Sequence, residues 1–126
     1  MPEWGPNSMV KIALVDDSVI LRSALKNVLE SSGFQVVLEV GNSKELFALL
    51  EKSKAELVLL DVFFPTENGL DMLAKLKRLN PRVKVLLVTG MRQETILAEA
   101  QRLGADGVLY KPFDTDDLLS AIERLK

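Results

Sequence analysis

Apolar runs of strand type alternate with amphipathic helical segments along almost the whole of this 126-residue chain. The strand-type runs lie at residues 11–16, 34–40, 56–61, 83–88 and 107–110. Helical periodicity follows each run, at residues 18–31, 43–52, 69–79, 92–103 and 115–125. Strict alternation with short connections predicts an α/β fold with a doubly wound parallel sheet, because parallel crossovers are right-handed and helices must then cover both faces.

The first, third and fourth strand-type runs contain almost only Val, Ile and Leu, which is typical of strands buried on both faces of a parallel sheet. We therefore place these strands at the centre. The common order for a five-stranded sheet of this kind is 2-1-3-4-5, the flavodoxin-like (βα)5 arrangement, and its ligands bind at the carboxyl ends of strands 1 and 3. That edge of the sheet is where we expect a functional site.

Polar side chains stand at the carboxyl ends of the predicted strands. Strand 1 ends at Asp16 and Asp17, strand 3 at Asp61, strand 4 at Thr89 and strand 5 at Lys111. At an effective dielectric constant of about 20, two carboxylates about 4 Å apart repel each other by roughly 4 kcal/mol, so a cluster of them needs compensating cations. Lys111 supplies one charge, and oxygen ligands suit a hard divalent ion, Mg²⁺ or Mn²⁺.

The composition excludes several kinds of site. The chain has no Cys and no His, which rules out disulfides, thiol catalysis, Ser-His and Cys-His triads and the usual zinc or copper centres. A formal net charge of -2 argues against a nucleic-acid surface, which needs clustered Lys and Arg. No apolar window reaches the length of about 18 residues that a membrane span requires, and no secretory signal is recognisable, so a cytoplasmic location is the default expectation. We interpret residues 1–8 as a flexible tail or cloning remnant and residues 9–126 as one folded domain.

The predicted site contains the groups that phosphoryl transfer requires. A carboxylate beside a divalent ion can attack phosphorus and form an aspartyl-phosphate. Asp61 is the best candidate nucleophile because it stands alone at its strand end, whereas the adjacent Asp16 and Asp17 make the better metal pair. Lys111 would neutralise the phosphoryl oxygens, and the Thr89 hydroxyl could donate a hydrogen bond to one of them.

The segments LVDDS, LLDVFFPTENGLDML, LLVTG and LGADGVLYKPF occur in this order, each at a strand end. With them the chain resembles a receiver domain of two-component response regulators, of the single-domain chemotaxis type, from about Val10 to Lys126. The resemblance implies a signalling module with no turnover substrate, which takes a phosphoryl group from a sensor histidine kinase or a phosphotransfer protein. Family members then bind a downstream partner or output domain through the face of helix 4, strand 5 and helix 5; no membrane or nucleic-acid partner is implied.

Residue by residue, the resemblance implies that Asp61 is the phosphoacceptor. It also implies that Asp16, Asp17 and Asp61 bind the metal ion, with Asp17 the more direct ligand of the acidic pair. The backbone carbonyl of Phe63 would be the remaining protein ligand.

The resemblance further implies that Thr89 is the switch hydroxyl, that Lys111 contacts the phosphate, and that the Lys111–Pro112 bond is cis. One departure concerns the aromatic residue that the family usually places three positions before the lysine, because that position is Val108 here. Tyr110 directly precedes Lys111 and lies on the opposite face of the strand from it by simple alternation. We therefore do not transfer an aromatic switch. Two alternatives stay open: output depends more on movement of the loop at residues 89–91 and of helix 4, or this chain couples only weakly to its output.

Two large apolar residues follow the key positions of the site. Phe63 lies two residues after Asp61, and Met91 lies two residues after Thr89. We expect both side chains to overhang the phosphate and to restrict the attacking water. This predicts a long-lived phosphoryl group.

Other functions are compatible with the same strand order. Flavin and nucleotide carriers hold phosphate with hydroxyls and backbone amides after strand 1, where this chain has two anions. Hydrolases of the haloacid-dehalogenase type form aspartyl-phosphates but need an acid two residues after the nucleophile, where this chain has Phe63. A degenerate receiver that acts only as a scaffold is disfavoured, because every residue of the expected site is present.

Overall fold

The computed structural model describes residues 10–125. Strands and helices alternate, each strand being followed by one helix. The strands are β1 (Lys11–Val15), β2 (Gln35–Val40), β3 (Leu57–Asp61), β4 (Lys84–Thr89) and β5 (Gly107–Tyr110). The helices are α1 (Val19–Ser31), α2 (Ser43–Ser53), α3 (Gly69–Leu79), α4 (Glu94–Arg102) and α5 (Thr115–Glu123). The predicted tail at residues 1–8 lies outside the described residues, and the domain boundaries at 9 and 126 stay predictions.

All the strands form one parallel sheet in the order β2-β1-β3-β4-β5. This confirms the predicted fold class and strand order. Because the order places β1 beside β3, the segments after these two strands are neighbours at the carboxyl edge of the sheet. The doubly wound topology therefore brings the acidic strand ends of the sequence to one place.

Each strand supplies two separate hydrophobic cores because successive side chains point to opposite faces of a sheet. On one face, residues such as Leu14, Leu59 and Leu86 pack with α1 and α5. On the other face, residues such as Ala13 and Leu60 pack with α2, α3 and α4. This two-sided burial is the reason that the central strands are apolar at nearly every position.

Helices α1 and α4 both begin later than predicted. Helix α1 begins at Val19 because the Ser18 hydroxyl accepts a hydrogen bond from the Leu21 N–H (3.1 Å) and caps the helix. Helix α4 begins later than predicted, at Glu94, and its N-cap residue Gln93 makes no side-chain capping bond. The amino end of α4 is therefore more weakly fixed than that of α1.

The loop between β3 and α3 is closed by a very short approach of two backbone segments. The Gly69 N–H donates to the Val62 carbonyl (2.7 Å), and an isolated antiparallel bridge joins Phe63 to Asn68. A Cβ atom at Gly69 would lie 2.2 Å from the Asp61 carbonyl oxygen. Only glycine fits there, so α3 starts directly against the end of β3.

Within residues 10–125, no helix combines the length and the apolar character needed to cross a bilayer.

Candidate phosphoacceptor and metal site

The three aspartates predicted from the strand ends lie together in the structure. Asp16 and Asp17 follow β1, and Asp61 is the last residue of β3. One carboxylate oxygen from each lies within 4.8 Å of the others. Asp16 and Asp61 are buried, with 6% and 8% of their surface exposed, whereas Asp17 is exposed.

Lys111 is the cation of this cluster. It follows β5, and its Nζ lies 3.4 Å from Asp16 Oδ2 and 3.7 Å from Asp61 Oδ1. Its side chain is 31% exposed, so solvent partly screens both interactions. Lys111 is thus close to two of the three carboxylates, and the cluster keeps an excess of negative charge.

Asp61 is held by the backbone that follows it. Its Oδ1 accepts hydrogen bonds from the N–H groups of Val62 (2.8 Å) and Phe63 (3.4 Å). Burial raises the pKa of this carboxyl group, and Asp16 adds to the rise, while Lys111 and the two amides act in the opposite direction. The net rise is due mainly to burial, which disfavours the ionised form of Asp61.

Asp16 is fixed through its side chain and both of its backbone groups. Its Oδ1 accepts from the Ser18 N–H (2.9 Å), and its own N–H donates to the Val40 carbonyl (3.1 Å). The Arg22 Nη1 donates to the Asp16 carbonyl oxygen (2.6 Å). Arg22 is not among the residues predicted from the sequence, because its contact is with a main-chain oxygen.

Thr89 ends β4 and is almost fully buried. Its Oγ1 accepts a hydrogen bond from the Met91 N–H (3.0 Å), and its carbonyl accepts one from the Lys111 N–H (2.8 Å). The hydroxyl proton stays available for donation, since Oγ1 is the acceptor in the first bond. Thr89 thus links the loop after β4 to the lysine of the cluster. The peptide bond that follows this lysine, Lys111–Pro112, is cis, as predicted.

The donor set of the cluster fits a hard divalent cation. Three carboxylates offer oxygens at one locus, and Lys111 alone does not balance their charge. Mg²⁺ and Mn²⁺ prefer such oxygen ligands. The role of the Phe63 carbonyl stays a prediction; the Phe63 side chain is 51% exposed.

The two residues of β5 that bear on the aromatic switch lie on one face of the strand. Val108 is partly buried and packs against the core on the side of α2, α3 and α4. The guanidinium of Arg92, in the loop after β4, lies 4.4 Å from the centre of the Tyr110 ring, a cation–π distance. The tyrosine is therefore in contact with the same loop that carries Met91.

The family model described as the response regulator receiver domain matches residues 12–123. The chain belongs to this receiver-domain family. A curated relative, the chemotaxis protein CheY of Listeria monocytogenes, is 34% identical over 92% of this chain and 98% of its own length. Protein CcdB of Bacillus subtilis is 31% identical over 93% of this chain and 98% of its own length.

A solved structure gives the same result in three dimensions. The CheY-like response regulator receiver domain protein of Methanospirillum hungatei superposes with a TM-score of 0.85 at 31% identity, covering 94% of each chain. This receiver domain is therefore CheY-like, and receiver domains are two-component signalling modules with a phosphoacceptor role.

Proposed function

We propose that this receiver domain accepts a phosphoryl group on Asp61 from the phosphohistidine of a sensor kinase or phosphotransfer protein, and that phosphorylation changes its affinity for a downstream partner or output domain. The observation that carries the proposal is the surroundings of Asp61. Its buried carboxylate lies with those of Asp16 and Asp17, and the Lys111 ammonium is 3.7 Å away.

The chemical step uses the free oxygen of Asp61. Because Oδ1 accepts the two backbone hydrogen bonds, we assign the attack on phosphorus to Oδ2. A phosphorus–oxygen bond forms, the phosphorus–nitrogen bond of the donor breaks, and the imidazole leaves with the electron pair and is protonated by solvent. Lys111 stands where it can neutralise the phosphoryl oxygens during this transfer.

The proposed cofactor is Mg²⁺, with Mn²⁺ as a substitute. Asp16, Asp17 and Asp61, with the Phe63 backbone carbonyl, would hold it. When bound, the ion would neutralise phosphoryl charge beyond what Lys111 can supply. The clustering of three carboxylates beside one lysine supports this part of the proposal, because it leaves negative charge that a divalent cation would balance.

The proposed switch is the Thr89 hydroxyl. When the Thr89 hydroxyl turns to donate to a phosphoryl oxygen, the hydrogen bond that it accepts from the Met91 N–H changes as well. Met91 lies in the loop that leads to α4, whose amino end has no side-chain cap. The proposal therefore places the output on the face of α4, β5 and α5, and it includes a cytoplasmic location and no nucleic-acid or membrane partner.

The test is phosphorylation by a small donor. Incubation with phosphoramidate or acetyl phosphate and Mg²⁺ should add one phosphoryl group by intact-mass measurement, and Asp61→Asn should abolish it. Asp71→Asn is the matched control, because Asp71 lies in the first turn of α3, outside the carboxylate cluster. Incorporation that persists in Asp61→Asn would refute the assignment.

A further inference from the structure

The two members of the acidic pair are held in different ways. Asp16 Oδ1 accepts from the Ser18 N–H and Oδ2 faces Lys111. The Asp17 side chain is exposed, and within residues 10–125 it makes no hydrogen bond or ion pair. The direction of the Asp17 carboxylate is therefore set by the backbone, above all by the peptide plane that joins it to Asp16.

Arg22 holds that peptide plane. Its Nη1 donates to the Asp16 carbonyl oxygen at 2.6 Å, and this carbonyl belongs to the Asp16–Asp17 peptide. The contact is possible because helical side chains lean towards the amino end of their helix, and α1 begins only three residues before Arg22. A residue at the start of α1 thus fixes the turn from which α1 emerges.

Two neighbours on the β2 side hold the guanidinium in place. Glu39 Oε1 lies 3.9 Å from Arg22 Nε. A Cβ atom added at Gly41 would lie 3.0 Å from Arg22 Nη1, so the glycine leaves room for the guanidinium group. Nε itself is buried and has no hydrogen-bond partner among the described residues. Since an unpaired buried donor is unfavourable, packing alone does not account for this arrangement.

We propose that Arg22 is a positioning residue for the divalent-metal site: by holding the Asp16 carbonyl it aims the Asp17 carboxylate at the cation. This inference rests on the proposed function, because that function supplies the cation. Arg22 does not touch the phosphoryl group or the metal. It acts through one main-chain oxygen, as outer partners of metal ligands commonly do.

The test uses variants that keep the net charge, because removing a nearby cation would by itself favour Mg²⁺ binding. Arg22→Lys keeps the charge but replaces the planar fork with a single ammonium, which cannot reach the carbonyl and Glu39 together. Isothermal titration with Mg²⁺ alone should show affinity weakened by about tenfold, as expected for loss of an outer partner of a ligand. Gly41→Ala leaves Arg22 in the chain but crowds Nη1, and it should weaken binding in the same direction by a smaller factor.

Lys26→Arg is the matched control, because it also exchanges one basic side chain for another and keeps the net charge. Lys26 lies one turn further along α1 and pairs with the same Glu39 (3.8 Å), but it does not contact the acidic turn. Its affinity for Mg²⁺ should match that of the unchanged protein. Phosphorylation of Arg22→Lys should be slow at low Mg²⁺ and recover at saturating Mg²⁺, a rescue that general destabilisation would not give.

Two results would overturn the inference. One is Mg²⁺ affinity in both Arg22→Lys and Gly41→Ala within about twofold of the unchanged protein, well below the effect expected of an outer partner. The other is a loss of affinity in Lys26→Arg as large as in Arg22→Lys. The titration needs no phosphoryl donor, so normal Mg²⁺ binding without phosphorylation of Asp61 would refute the proposed function and leave the role of Arg22 intact.

Discussion

Ionic clusters lie at both ends of the parallel strands, at the amino ends (the amino edge) and at the carboxyl ends (the carboxyl edge). Both contain buried or half-buried groups, but their charge balance is opposite. At the amino edge, Asp106 accepts from Lys77 Nζ (2.9 Å) and from the Val85 N–H (2.8 Å), and Lys84 Nζ lies 3.9 Å away. One carboxylate there has two cations and an amide. At the carboxyl edge, three carboxylates lie together with one lysine, which is close to Asp16 and Asp61. The comparison separates an ionic cluster that is balanced within the protein from one that carries an excess of negative charge.

A divalent ion should bind only at the carboxyl edge. Its addition should give the largest change in the free energy of unfolding. At about one hundred times its dissociation constant, Mg²⁺ should raise the free energy of unfolding by about 2.7 kcal/mol through linkage to the folded state. Thermal denaturation with and without EDTA measures this. Asp106→Asn should respond as the unchanged protein does, and Asp17→Asn should respond weakly; an equal response in Asp17→Asn would contradict the metal assignment.

The same substitution at the two edges should change stability with opposite signs. Asp106→Asn leaves Lys77 and Lys84 without their anion, so urea denaturation should show a loss of about 2 kcal/mol, reduced from the value for fully buried pairs because these side chains are partly exposed. If Asp106→Asn proves neutral, the amino edge is not the stabilising cluster described above.

Asp61→Asn should instead stabilise the metal-free protein at pH 7, by less than the change at Asp106, because it removes a charge that burial disfavours. Burial raises the pKa of Asp61 in the folded protein, so folding favours its protonated form. That contribution is fully present below the unfolded-state pKa and is lost as the pH rises through the folded-state pKa. The advantage of Asp61→Asn in EDTA should therefore shrink as the pH falls. If this gain in stability grows on acidification, folding does not raise the pKa of Asp61.

The smallest expected effect concerns the apolar residues near the carboxyl edge. Phe63 is 51% exposed, and Met91 is half-buried. If they restrict the attacking water, the double variant Phe63→Asn with Met91→Glu should lose phosphate about fivefold faster, which corresponds to nearly 1 kcal/mol of barrier. Decay of phosphorylated protein after removal of the donor gives the rate. An unchanged rate would end the hypothesis that these side chains exclude water.

The sequence predicted the sheet and the convergence of the aspartates because both depend on patterns that are local in the chain. Two-sided apolar strands and short crossovers leave few topologies, and the strand order then places Asp16 beside Asp61. The start of α4 was predicted too early, since Gln93 gives no side-chain capping bond to mark it. Arg22 was missed for another reason: it acts on a main-chain carbonyl, and every residue has one.

The surroundings of Tyr110 show the same limit. Alternation placed it correctly on the strand face opposite Lys111, but the partner of its ring, Arg92, comes from a loop whose path depends on the packing of α4. The sequence pattern indicates on which face of a strand a residue lies, but it does not indicate which neighbour covers that residue.

The contact at Gly69 also has a consequence for how α3 and α4 can move. Since no atom can be inserted between the start of α3 and the Asp61 carbonyl, α3 cannot slide along the sheet without breaking the loop that holds the phosphoacceptor. Helix α4, reached through an uncapped loop, has no such stop. Displacement that begins at Asp61 should therefore travel in one direction across the sheet, and a probe attached to α4 should report it while one on α3 stays still.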